Sequence, residues 1–192
     1  MAKLFMFYLG GDAPNAQIEL HDVQFVVCDA VEDAYPILLE RWYGTPWSLH
    51  VDGVAEIRWA DGHDVTLSDT PSTDGRKLYF IFMGGYIPGD LMEYHKMGLF
   101  VGRDSAEAKA RAKARLMTEF TLQHRDNQME IEHCTLLWEL HGKYIHLKPN
   151  PFGMSLGEMW QGYRRIGLCK ICGKSQLDDH FCEDPELDDV AI

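Results

Sequence analysis

The sequence predicts an α+β protein. It is an internal duplication of a ββαββ unit packed as a pseudo-dimer, plus a short C-terminal segment. Three observations carry that expectation. The chain matches itself when shifted by 74 residues: KLFMFYLGG at 3–11 lies over KLYFIFMGG at 77–85, and 14 of the 55 ungapped pairs between 3–57 and 77–131 are identical. Self-similarity at a fixed shift is the mark of a repeated unit. Within each copy, short apolar runs rich in aromatic and β-branched residues flank one segment of helical period. Between the copies lies TPSTDGR (70–76), a polar stretch with Pro and Gly that reads as a linker. The expected boundaries are 1–69 for the first repeat, 70–76 for the linker, 77–149 for the second repeat and 150–192 for the C-terminal segment. A linker this short keeps the copies together about an approximate two-fold axis.

The elements follow in order. Lys3–Leu9 is a buried strand, and the Gly10-Gly11 pair with Pro14 marks a loop. Val23–Cys28 is a second strand. Asp29 stands where a helix N-cap would, with Glu32 at the capping-box position. Ala34, Leu38 and Trp42 then fall on one helix face at i, i+4 and i+8, and Pro36 distorts the first turns. A loop carries His50. Val54–Trp59 and His63–Leu67 are strands joined by a hairpin turn at Asp61-Gly62. The second copy repeats the plan. Asp104 and Glu107 make its cap, and Ala108, Ala112 and Leu116 its packed face. A longer strand runs from Gln128 towards Leu140, then a turn at His141-Gly142 leads into Lys143–Leu147. In the C-terminal segment, GEMWQGYRRIGL (157–168) has helical character broken by glycine, and EDPELDDVAI (183–192) is acidic and has no core-forming pattern.

The run LGG…P…IELHDVQFVV, the helix with YPILLERWYGTP, and SLHVDG resemble an uncharacterised bacterial family called domain of unknown function 1543. The resemblance covers about residues 1–70 and 75–149, which implies two tandem copies. In the second copy MEYHK departs from ELHD, because Lys96 replaces the Asp found at Asp22. The resemblance implies a domain division and no activity.

Composition narrows the function classes. Apolar residues make up 46% and charged residues 25% of 192 positions, as in soluble globular proteins. No run reaches the ~18 apolar residues of a membrane span, and the N-terminal apolar run is shorter than a secretory signal. The expectation is a cytoplasmic protein with no membrane partner. The net charge of -12 argues against nucleic acid, since neutralising phosphates takes Lys and Arg. The charge is uneven. Residues 3–69 hold 3 basic and 12 acidic residues, whereas 77–149 hold 10 basic and 9 acidic. The basic run KARAKAR (109–115) reads as a solvated helix face or as a surface for an acidic partner, the first copy or the acidic tail. The expected partners are a small ligand or a protein, the intramolecular second copy, or a homo-oligomer.

Chemistry concentrates in two places. Both copies carry Glu-x-His, as Glu19 with His21 and Glu93 with His95, and His50 and His124 match in the ungapped shift. In an extended segment i and i+2 share a side, so carboxylate and imidazole sit together. With a further His the set is Glu, His, His. It suits a divalent metal, a small polar ligand, acid–base or metal-assisted hydrolytic chemistry, or a purely structural loop in which each group bonds backbone. Asp52 and Asp126 precede Gly53 and Asn127 and read as turn residues. There is no nucleophile elbow, dinucleotide fingerprint or His-Glu-x-x-His helix. The tail is the second place. Cys169-x2-Cys172 followed by Gly173 resembles a zinc knuckle, and His180 and Cys182 would complete a Cys3His set. Redox use of the pair or plain thiols are the alternatives. Cys28 and Cys134 lie in apolar runs and read as core thiols.

Overall fold

The structure is a computed structural model that describes residues 1–87, 89–116, 129–153, 157 and 159–175. The first copy supplies β1 (Lys3–Gly11), β2 (Leu20–Cys28), a 3-10 turn (Val31–Ala34) leading into α1 (Tyr35–Arg41), β3 (His50–Glu56), β4 (Trp59–Ala60) and β5 (His63–Ser68). The second supplies β6 (Lys77–Tyr86), β7 (Glu93–Gly102), α2 (Ser105–Leu116), β8 (Met129–Leu137), β9 (Glu139–Leu140) and β10 (Lys143–Pro149). The C-terminal segment adds β11 (Met159–Arg165). The fold is α+β, with two similar ββαβ units, each followed by a hairpin. By compactness the chain divides into residues 1–56 with 158–192, and residues 57–157.

In the first of these bodies β1 is central. It pairs antiparallel with β2 on one side and β3 on the other, and β11 adds outside β3 to give the order β11-β3-β1-β2. Side chains alternate along β1. Phe5, Phe7 and Leu9 point to one face, where Ala34, Leu38 and Trp42 of the helical segment cover them together with Val51, Val54 and Ile166. Phe7, Leu9 and Leu38 are fully buried, and each contributes about 1.5–3 kcal/mol of transfer free energy. The opposite face carries Tyr8, Gly10 and the side chains that meet them.

In the second body β6 lies between β7 and β8, and α2 packs over Tyr79, Ile81, Met83 and Phe100 through Ala108 and Ala112. The two alanines are fully buried, so their small size lets the helix lie close to the strands. A separate sheet has the order β4-β5-β10-β9. The hairpins of both copies build it jointly, with β5 and β10 paired over six residues. Their turns at Asp61-Gly62 (φ 44° and 82°) and His141-Gly142 (φ 51° and 74°) have the two positive φ values of a type I′ turn.

Several expectations need correction. GEMWQGYRRIGL holds a strand in place of a helix. The edge of β3 offers backbone partners, and a register shift between Gln161 and Arg164 accommodates Gly162. Asp29 does not cap the first helical segment. Ala30 is the N-cap, and its N–H donates to Asp33 Oδ2 at 2.9 Å. The second cap is as expected: Asp104 Oδ1 accepts the Glu107 N–H at 2.9 Å, and Glu107 accepts from the Arg103 N–H. The Gly-Gly pairs are not loops. Gly10-Gly11 ends β1, and Gly84-Gly85 lies within β6. His50, Asp52 and Gly53 are likewise in β3, with Asp52 at the register shift where β1 steps from Gly53 to Val51.

The strand register also revises the internal alignment. Gly10 faces His21 on β2 and His50 on β3, while Gly84 faces His95 on β7 and Glu130 on β8. From the helix onward the second copy is therefore six residues longer, and the register counterpart of His50 is Glu130. His124 and Asp126 lie outside the described residues.

Candidate functional site

Gly10 is the centre from which the site is built. It is the register partner of both His21 and His50, so both imidazoles rise from the strands that flank it. A Cβ on Gly10 would lie 2.4 Å from His50 Nε2 and 2.7 Å from Asp52 Oδ2. The glycine serves close approach here. At Gly11 a Cβ would meet the Trp42 ring at 2.7 Å, so the second glycine admits the helix-end tryptophan.

Four polar side chains converge over that gap. His50 Nε2 lies 2.9 Å from Glu19 Oε1 and 3.2 Å from Asp52 Oδ1. His21 Nε2 lies 3.5 Å from Glu19 Oε2 and 3.5 Å from Asp52 Oδ2. Each carboxylate thus spans both imidazoles, one oxygen to each. His50 forms the closed end, 4% exposed, while Glu19 and His21 are about 40% open to solvent. Two tyrosines flank the cluster. Tyr8 stacks on His21 with ring centroids 5.1 Å apart, and Tyr163 of β11 lies 4.2 Å from the His50 ring. Burial, then the carboxylates of Asp52 and Glu19, push the Tyr8 phenol above its ordinary pKa.

The surrounding backbone fixes the buried imidazole. His50 Nδ1 is 2.9 Å from the Ser48 carbonyl, which only accepts, so Nδ1 carries a proton. Nε2 then faces two carboxylates, those of Glu19 and Asp52. The loop before His50 is tied to the end of β1: Thr45 N–H donates to the Asp12 carbonyl at 2.7 Å, and Asp12 N–H donates to Ser48 Oγ at 2.8 Å. The chain after β11 closes the other side, with the Ile166 and Gly167 N–H groups on the Leu49 carbonyl.

The structure therefore brings Glu19, His21 and His50 together. Sequence reasoning missed Asp52, because Asp-Gly is a turn signal. The spacing His50-x-Asp52 held the clue, since it is the same i, i+2 relation as Glu19-x-His21. Tyr8 and Tyr163 carried no signal of their own. In the second copy Glu93 and His95 lie 3.6 Å apart, and His95 stacks on Phe82 at 4.8 Å, so the aromatic-on-imidazole contact is repeated.

The tail residues lie apart from this cluster in sequence. Cys169 is buried and Cys172 exposed. Their turn is closed by Cys169 N–H to Lys174 O at 2.7 Å and by Gly173 N–H to Cys169 O at 2.8 Å, with Gly173 at φ 69°. His180 and Cys182 lie outside the described residues. Among the described residues, no group of three or more His, Cys, Asp and Glu side chains has an arrangement that would hold a metal ion. Burial raises the Cys28 thiol to about 11, with Asp33, Asp29 and Glu32 adding to it, and burial also raises Cys134. Among the described residues no helix is long and apolar enough to cross a membrane.

Comparison with known proteins adds two findings. The family model described as Domain of Unknown Function (DUF1543) matches residues 16–67 and 90–137. These segments include all four residues of the first cluster and the Glu93–His95 pair. A crystal structure of a protein Il1583 from Idiomarina loihiensis is similar, with 29% sequence identity and a TM-score of 0.63 over 85% of this chain and 97% of that one. No curated protein matches.

Proposed function

The chain belongs to the Domain of Unknown Function (DUF1543) family, whose model matches it in two segments that together exceed half its length, and from that premise we propose that it is a binding protein. The ligand is a small polar molecule bearing a protonated amine, taken by Glu19 and Asp52. The observation that carries this reading is the pair of carboxylates, each held between the same two imidazoles and open towards Glu19 and His21. The cluster holds two carboxylates, and they offer acceptor oxygens where an ammonium has donors. Tyr8 and Tyr163 add aromatic faces beside that position.

The test titrates the full chain with 1,4-diaminobutane and with 1,4-butanediol, followed by calorimetry. The amine should bind saturably and the diol should not. Glu19→Gln and Asp52→Asn should each weaken the amine by about tenfold or more, the size of one charge-assisted hydrogen bond. Equal binding of diol and amine, or no change in either variant, would overturn the reading.

A separate observation favours a zinc ion in the tail. The Cys169–Gly173 turn is closed by two backbone hydrogen bonds, with glycine at its left-handed position. This is a backbone that lets two thiolates face one ion. We infer that Cys169 and Cys172 supply two ligands and that the sequence supplies His180 and Cys182 for the rest. Metal content of untagged protein is the check. One zinc per chain, lost from the Cys169→Ser, Cys172→Ser double variant and kept in His21→Ala, supports the assignment. Protein purified without zinc, and unable to take it up, sinks it.

A further inference from the structure

A cavity of about 220 Å³ opens on the helix-bearing face of the β11-β3-β1-β2 sheet. Its wall runs from the 3-10 turn and α1, through Val51 and Val54 of β3, to Trp160 and Arg164 of β11. Val51 sits between His50 and Asp52 in the strand and turns to the other face, so the cavity and the acidic cluster lie back to back across β3. The register shift in β11 separates the two roles of that strand. Tyr163 meets His50 on one face, and Trp160 and Arg164 line the cavity on the other.

Arg164 gives the cavity its chemistry. Its guanidinium carbon lies 5.3 Å from the Trp160 ring centroid, within cation–π range of the indole. Nη1 donates to Tyr35 Oη at 2.9 Å and reaches Glu32 Oε1 at 3.4 Å. Both hydrogen bonds of the guanidinium among the described residues leave from Nη1, so the Nη2 edge is open. That edge presents parallel N–H donors of the kind that take a carboxylate in bidentate fashion. Beneath it the valines and Trp160 form an apolar floor. The volume is below the ~300 Å³ at which drug-sized ligands begin.

We propose that this cavity binds a small organic carboxylate with a compact apolar body, the carboxylate on Arg164 and the body against Trp160, Val51 and Val54. The site is built by the first copy together with β11 of the C-terminal segment. Under the 74-residue shift Lys109 stands in place of Tyr35, and among the described residues β8 is the end strand of its sheet. Glu32 borders the cavity with like charge to the ligand and limits its affinity.

Benzoate is the probe, with benzamide as its neutral counterpart, both titrated into the full chain and followed by saturation-transfer NMR. Benzoate should saturate in the millimolar range or below and bind at least about tenfold more tightly than benzamide. Arg164→Gln should remove that preference. Glu32→Gln should tighten benzoate severalfold while leaving benzamide unchanged, a gain that no loss of folding can imitate. Asp52→Asn should leave both unchanged, which keeps this site distinct from the amine site on the other face. Benzoate and benzamide binding alike, benzoate failing to saturate, or Glu32→Gln leaving benzoate affinity unaltered would each overturn the proposal.

Discussion

At Gly10 the missing side chain is as much a part of the site as the imidazoles beside it. Gly10→Ala would drive a methyl into His50 Nε2 and Asp52 Oδ2. We expect it to cost about 1–3 kcal/mol in urea unfolding, the range for overpacking a filled site, and to abolish amine binding. Gly53→Ala is the matched control. Its nearest neighbour would be a Trp160 carbonyl at an ordinary 3.6 Å, so stability should change by less than about 1 kcal/mol. Cys28 makes a second prediction at this scale. The fold favours its thiol over its thiolate, since burial and three nearby carboxylates raise it from 9.0 to about 11. A raised acid helps the folded state as long as it keeps its proton. That contribution is complete below pH 9 and is lost as pH rises through about 11. Alkylation of Cys28 in the folded protein should therefore rise with pH about two units later than in urea-unfolded protein. Glu19 and His21 were legible in the sequence because the i, i+2 spacing and the duplication both pointed to them, whereas His50 was singled out by an ungapped match to His124 that the strand register does not keep. Asp52 was not, because Asp-Gly means a turn in isolation and becomes a strand bulge only when β1 and β11 pair on either side.

Elements here are held by what their ends touch. The β4–β5 turn carries Asp61, whose side chain is 1% exposed and accepts the Val101 N–H at 2.9 Å and donors from Arg111 and Arg115. The basic helix α2 thus does take an acidic partner from the first copy, one of the two roles its KARAKAR run suggested. Asp61→Ala would leave a buried N–H unsatisfied and two arginines without their shared carboxylate. A loss of about 2–4 kcal/mol in chemical denaturation is expected. The helix caps give a contrast. Asp104→Ala should cost about 1 kcal/mol because its carboxylate holds the Glu107 N–H. Asp29→Ala should cost almost nothing, since Asp29 caps no helix. Strands, helices and both type I′ turns were readable from period and turn chemistry. β11 was not, because a short segment with Trp, Tyr and Gly becomes a strand only when an open edge such as that of β3 receives it.

The compact bodies and the repeated copies do not share boundaries. Duplication places the first copy at 1–69, yet β4 and β5 pair within the body formed by 57–157, and β3 draws its outer neighbour from residues 159–165. A fragment of residues 1–69 would leave β5 without β10 and β3 without β11. It should show no cooperative unfolding transition, whereas the full chain should show one or more. Sequence comparison reveals copies, because it sees what was duplicated. It does not reveal which strands pair, since that depends on open edges meeting in space. The discontinuity of the first body has a consequence for how the protein comes off the ribosome. Residues 57–157 emerge as a continuous stretch and can complete their sheets while synthesis continues. Residues 1–56, although made first, keep an open strand edge and an uncapped His50 until about a hundred further residues have been translated. The arginine-lined cavity is thus among the last things the chain finishes, and a translation product cut short before residue 159 would lack it, together with the tyrosine that covers His50.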